Sequence, residues 1–166
     1  DRELIDELWK NNPEMQQLAQ QYDERPVNRI LSRKINEFDN SIPHNVAQRQ
    51  FDMIRQIADS GESAIFVGRC ADYALAGRPG LLRIFCRADL GLRIRRIEQR
   101  HNLSKKKAAL LVAKTDRHRK VYYHHHTGQF WGHSSCYDLT VNTGVLGVEK
   151  TAETMEAFIR TFWEQD

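Results

Sequence analysis

Arg93, Arg96 and Arg100 recur at i, i+3 and i+7, the spacing that lines side chains along one face of a helix. That face points away from Leu90, Ile94 and Ile97, the apolar stripe of the same segment. Arginine forks match phosphate oxygens two at a time, so several on one face can grip a polyphosphate. The plainer alternative is a solvated face paired with nearby acids. A second cluster follows at Lys114, Asp116, Arg117, Arg119 and Lys120. Asp116 and Arg119 lie one turn apart, and a simple ion pair between them is worth about 0.2–0.5 kcal/mol. In the functional reading Arg117 and Arg119 reach phosphates, while Asp116 orients one of them or accepts from a sugar hydroxyl.

Gly68 and Arg69 close a short apolar run, Ser63–Val67, that reads as a strand. An arginine just past the carboxyl end of a strand stands where open α/β sheets bind ligands. Gly68 allows the tight turn, and Asp72 sits one turn into the segment that follows. A salt bridge from Arg69 to a neighbouring helix is the alternative. His124, His125 and His126, with His133 and Cys136, can be drawn as a zinc site. Three consecutive histidines cannot all face one metal from a regular helix, and no HxxxH or CxxC spacing supports them. No metal is therefore expected. These histidines instead close a helix that Thr127 and Gly128 stop, with Tyr122, Tyr123 and Trp131 packing locally.

Charge sharpens the point. Residues 93–120 hold eleven Lys/Arg against Glu98 and Asp116, a net +9, so the other 138 residues sum to −6 of the chain's +3. Positive charge crowded into one sixth of the chain predicts an anionic partner there. The 166 residues, 40% hydrophobic and 28% charged, are enough for one domain with its own core. No apolar run approaches the roughly 20 residues needed to span a bilayer, and no membrane association is expected. Cys70, Cys86 and Cys136 are odd in number and widely spaced, which leads to the expectation of a reduced, cytoplasmic protein.

The elements that must position these residues change character along the chain. The first 60 residues carry helical spacing: Leu4, Ile5, Leu8 and Trp9, then Met15, Leu18, Ala19 and Tyr22, then Ile30, Leu31 and Ile35. A further helix is predicted from Pro43, with Val46, Gln50, Met53, Ile54 and Ile57 inward, stopped by Ser60 and Gly61. Strands are then predicted at 63–67, 81–86 and 138–142. Helices alternate with them: one short at 70–76, one with Leu90, Ile94 and Ile97 inward, one capped by Ser104, and one from Gly147. The capped helix turns Ala108, Leu111, Val112 and Thr115 inward, and the last shows Val148, Ala152, Met155, Ile159 and Phe162. Such alternation indicates an α/β fold with a parallel, doubly wound sheet. Three strands are thin for so many helices, and a further strand is expected upstream of residue 1.

Five stretches in order, "DRELIDEL" at 1–8, "AIFVGRCADYAL" at 64–75, "LRIFCRADLGLRIRRI" at 82–97, "AKTDRHRKVYYHHHTGQFWG" at 113–132 and "YDLTVNTGVLGVEKTAETM" at 137–155, resemble the cytidylate kinase-like family of P-loop nucleoside monophosphate kinases. The resemblance implies a single three-layer domain of P-loop NTPase type. Residues 11–60 would form the helical monophosphate-side insertion, and 89–132 an arginine-rich lid and its hinge. It implies transfer of the γ-phosphoryl group of ATP to a nucleoside monophosphate, CMP or dCMP, with magnesium. Arg93 and Arg96 match the lid arginines, and Asp116 and Arg119 the D-x-x-R at its return. Gly68 and Arg69 match the glycine-arginine that meets the monophosphate. Cys70 stands where an acid often follows, and Asp72 is a looser substitute for it. Asp138 to Thr143, with Asn142 and Thr143 at its end, resembles the late strand whose end lies near the ATP base, and Asp1 and Arg2 resemble the stretch beside the acceptor nucleotide. The chain contains no G-x-x-x-x-G-K-[ST] and no GxGxxG, and the family's phosphate loop is expected before residue 1.

Two rivals remain open on these residues. A nucleic-acid-binding module would use the +9 segment for phosphates and Tyr122, Tyr123, Phe130 and Trp131 for stacking. Against it, the aromatics are bunched after the basic residues rather than interleaved with them. The second rival is a kinase-fold protein that binds nucleotide without turnover.

Overall fold

The structure, a computed structural model, describes residues 37–164, and the chain divides into two compact units. The helices expected within residues 1–36, with Asp1 and Arg2, lie outside the described residues.

The first unit, over its described residues, comprises 37–78 and 118–128. Helix α1, Glu37–Asp59, begins before Pro43 rather than at it. Proline removes one backbone donor, which the helix forgoes at that position. Val46, Ala47, Gln50, Phe51 and Ile54 form its buried face, a stripe at i, i+1, i+4, i+5 and i+8. Against it packs the one-turn helix α2, Ala71–Ala74, which buries Ala71 and Ala74. Arg55 Nε donates to the carbonyl of Ala74 at 3.2 Å, satisfying an acceptor that a helix end leaves open. The Phe51 ring meets Tyr73 edge-on at 6.4 Å and His126 at 5.8 Å.

The run 63–67 corrects the prediction of a covered strand. It has no strand partner among the described residues, with Ile65 94% and Val67 68% exposed. An apolar run becomes a strand only when neighbours take up its backbone donors and acceptors.

The second unit, over its described residues, comprises 79–117 and 129–164. Its sheet has two parallel strands, β1, Ile84–Arg87, and β2, Leu139–Asn142, with Ile84 opposite Leu139 and Arg87 opposite Asn142. Three predicted strands thus become two, and the structure is mixed α/β with a small parallel sheet. The pairing is anchored one residue earlier. Asp138 accepts from the backbone N, Nε and Nη2 of Arg83 at 2.8, 3.1 and 2.7 Å, while its own N–H donates to the Arg83 carbonyl at 2.8 Å. Phe85 packs against Trp131 and Tyr137, with ring centroids 5.3 and 4.9 Å apart.

Helix α3, Leu90–His101, buries none of its residues fully, and Leu90 is 56% exposed, contrary to its expected inward place. Helix α4, Lys105–Thr127, gives residues 105–117 to this unit and 118–127 to the other. Ser104 caps it, its Oγ accepting from Lys107 N at 3.4 Å. Ala108 and Val112 are buried as expected, whereas Leu111 is not. Gly128 stops it in the left-handed region, φ 69°, donating back to the His124 carbonyl. Helix α5, Thr143–Trp163, starts a turn earlier than predicted and breaks at Gly147, φ 81° and ψ 175°. Beyond the break Thr151 is buried and Met155, Ile159 and Phe162 half-buried, while Val148 and Ala152 are exposed. Among the described residues no helix is long and apolar enough to cross a membrane.

Candidate active site

Three groups of predicted site residues can be placed, each within one unit save that Arg119, named with the second, belongs to the first unit. The first lies on the turn from Gly68 into α2. Gly68, Arg69 and Cys70 are consecutive left-handed residues, with φ of 78°, 58° and 52°. For the two non-glycine residues this costs about 1–2 kcal/mol each, strain of the kind that gathers at ligand sites. The turn closes through Ala71 N on the Gly68 carbonyl at 3.2 Å. It buries the Arg69 side chain to 6% exposure, and loss of hydration pulls the guanidinium's pKa down. Asp72 follows, half-buried, and its Oδ2 accepts from the hydroxyl of Tyr123 at 2.5 Å.

The second group joins α3 to α4. Arg93 Nη1 and Nη2 donate to Asp116 Oδ1 and Oδ2, each at 2.8 Å. Their side chains are 31% and 21% exposed, and the hydrogen bond to Asp116 raises the Arg93 pKa. Asp116 therefore pairs across helices with Arg93 rather than along its own helix with Arg119. Arg96, Arg117 and Arg119 are exposed, as are Arg100, Lys105, Lys106, Lys107 and Lys114. In the second unit these arginines thus comprise one fixed fork, Arg93 on Asp116, and exposed side chains at Arg96, Arg100 and Arg117.

The third group is the carboxyl end of the sheet. Asn142 Oδ1 accepts from Gly144 N at 3.0 Å and caps α5, and Thr143 Oγ1 donates to the Arg87 carbonyl at 3.2 Å. Asn142 Nδ2 reaches Asp89 at 3.5 Å. Both predicted nucleotide-side residues so hold the strand-to-helix junction in shape. Among the described residues no group of three or more His, Cys, Asp or Glu side chains could hold a metal, and all three cysteines are free. His124–His126 lie in the last turn of α4, where the His126 ring meets Tyr122 at a tilt, 4.5 Å between centroids, and His125 edge-on at 4.8 Å.

Sequence reasoning assigned Tyr123 to local packing and missed its bond to Asp72. Gln50 belongs to the predicted apolar stripe of α1. It is 1% exposed, with Nε2 lacking a hydrogen-bond partner among the described residues. Gln50 leaves one signal, a polar residue inside an apolar stripe, whereas Tyr123 leaves none, because its partner lies 51 residues away.

A crystal structure described as an uncharacterized protein from Eubacterium ventriosum ATCC 27560 superimposes with a TM-score of 0.68 at 28% identity, over 89% of each chain. No curated protein matches the chain. The model of the cytidylate kinase-like family matches residues 1–145, and the chain belongs to that family.

Proposed function

We propose that this protein transfers the γ-phosphoryl group of ATP to a nucleoside monophosphate, CMP or dCMP. The observation that carries the reading is the family match over residues 1–145, because a basic surface alone suits any anion. The geometry is consistent with it. Phosphoryl transfer asks a protein mainly for alignment and for cations around a charge-dense transition state. Arg69 on its strained turn and Asp72 serve the acceptor, with Gly68 giving the turn its shape. Arg96, Arg117 and Arg119 extend from the lid toward phosphates, while Arg93 and Asp116 hold the lid helices in register. Asn142 and Thr143 shape the ATP side. Magnesium would enter with the ATP phosphates, since it commonly needs only one or two carboxylates beside them.

The test is thermal stabilisation of the full-length protein by CMP, dCMP, AMP, UMP and ATP, followed by coupled measurement of ADP release. A ligand at one hundred times its dissociation constant stabilises by about 2.7 kcal/mol. Selective stabilisation by CMP or dCMP with ADP release supports transfer. Stabilisation without release reassigns the protein as a nucleotide binder. Oligonucleotide affinity with a steep salt dependence, and no response to mononucleotides, replaces the reading with nucleic-acid binding.

A further inference from the structure

We infer that Tyr123 is a positioning residue for the acceptor nucleotide, acting through Asp72. This rests on the reading of Asp72 as an acceptor-side residue. Tyr123 is 4% exposed, and its hydroxyl donates to Asp72 Oδ2 at 2.5 Å across 51 residues of sequence. A phenol has one proton to give, so the bond fixes one carboxylate oxygen and leaves Oδ1 with its lone pairs. Oδ1 accepts no hydrogen bond from the described residues, and Asp72 is half-buried rather than turned out to solvent. A carboxylate that the described residues tether at one oxygen and leave unengaged at the other can accept from a ligand donor in one fixed direction.

The surroundings hold both partners still. Asp72 lies in the turn of α2, whose Ala71 and Ala74 are buried against α1. The strained Gly68–Cys70 turn comes directly before it, so Asp72 and the buried Arg69 are delivered by one short, constrained segment. Tyr123 lies in the closing turns of α4, where its carbonyl accepts from Thr127 Oγ1 at 2.7 Å and Gly128 N bonds the His124 carbonyl at 2.9 Å. Purely structural packing would need only the ring. The hydroxyl bonded to a carboxylate beside a buried arginine has a further use, which is to aim that carboxylate at the nucleoside whose phosphate the arginine meets.

The experiment compares Tyr123→Phe, Asp72→Asn and the double variant with the wild-type full-length protein. For each, KM for the preferred monophosphate, KM for ATP, kcat and melting temperature are measured. Tyr123→Phe keeps the ring and deletes one hydrogen bond. It is expected to raise KM for the monophosphate by about tenfold, with KM for ATP changed less than about twofold. Asp72→Asn is expected to do at least as much, and the double variant no more than Asp72→Asn alone, since the hydroxyl acts only through the carboxylate. An unchanged monophosphate KM in Tyr123→Phe, or equal rises for both substrates, overturns the positioning role while leaving the kinase reading intact. Should Tyr123→Phe fold too poorly to assay, Asp72→Asn decides, and wild-type KM in that variant overturns the inference. A wild-type protein that neither binds nor turns over any monophosphate overturns both readings together.

Discussion

The two terminal nitrogens of Arg93 each stand 2.8 Å from a different oxygen of Asp116, a fork-to-fork pair that links α3 to α4 across 23 residues. The two helices are thus cross-braced by one of the arginines that the sequence offers for phosphate. Both side chains are partly withdrawn from water, so the bond is stronger than a surface pair and cheaper than a fully desolvated one.

Removing either partner should therefore cost about 1–3 kcal/mol, because the group left behind remains half-buried and unpaired. Urea unfolding of Arg93→Ala and Asp116→Ala checks this, and the double variant should cost less than the two singles summed. Arg93→Lys should recover only part, since a point charge cannot make two parallel bonds. Wild-type stability in both single variants would show the brace to be idle.

Asp138 gives the protein a pH dependence of known sign. Its pKa is held below the ordinary 3.8, first by the side-chain hydrogen bond from Arg83. A carboxyl depressed on folding adds stability above its unfolded pKa, and that contribution drains away as pH falls through the lower folded value. The melting-temperature gap between wild type and Asp138→Asn should be full at neutral pH, shrink below 3.8, and vanish in stronger acid. A gap that stays constant down to acid would remove the linkage.

Gly132 should resist substitution for two reasons that can be separated. Its φ is 78°, and a Cβ there would lie 2.8 Å from Cζ of Phe85, whose ring is already held against Trp131 and Tyr137. Gly77 has a nearly identical φ of 79° with nothing within 4 Å of the same atom. Gly77→Ala should cost about 1–2 kcal/mol from backbone strain alone. Gly132→Ala should cost about 1–3 kcal/mol more from overpacking. Equal losses by denaturant unfolding would mean that Phe85 yields freely.

What the sequence made legible was local. Ser104 and Gly128 bracket α4 because a hydroxyl cap and a left-handed glycine act within a few residues of themselves. Val46, Gln50 and Ile54 fall on one face because helix geometry repeats whatever the neighbours are. The misreadings concern partners. Ser63–Val67 has the composition of a strand, yet pairing is a property of two segments, and among the described residues it has none. Leu90 fits the apolar period of α3, but the helix buries no residue fully, so the stripe overstated its cover. Asp116 has an arginine three positions on in its own helix, and the structure pairs it with one 23 positions back. Tyr123 and Asp72 meet across 51 residues, a distance at which spacing carries no information. The Gly68-Arg69 turn and the basic segment were visible as motifs, whereas the bonds that orient their side chains were not.

Arg96 and Arg119 provide the test that separates the proposed phosphate chemistry from the architecture of the helices. Both are exposed, and no hydrogen bond or ion pair holds either among the described residues. Truncating an exposed side chain away from caps and buried networks moves stability by less than about 0.5 kcal/mol. If these guanidinium groups meet transferring phosphates, each removes charge stabilisation that exists only as the bond is made. kcat should then fall on the order of 10²-fold for Arg96→Ala and Arg119→Ala, with melting temperatures unmoved. Arg93→Ala should lose stability and turnover together, because it braces the helix that carries Arg96. Wild-type kcat in both Arg96→Ala and Arg119→Ala would mean that the cationic face serves some anion other than the phosphates in transfer. The kinase reading would then have to stand on the acceptor side, on Arg69, Asp72 and Tyr123, alone.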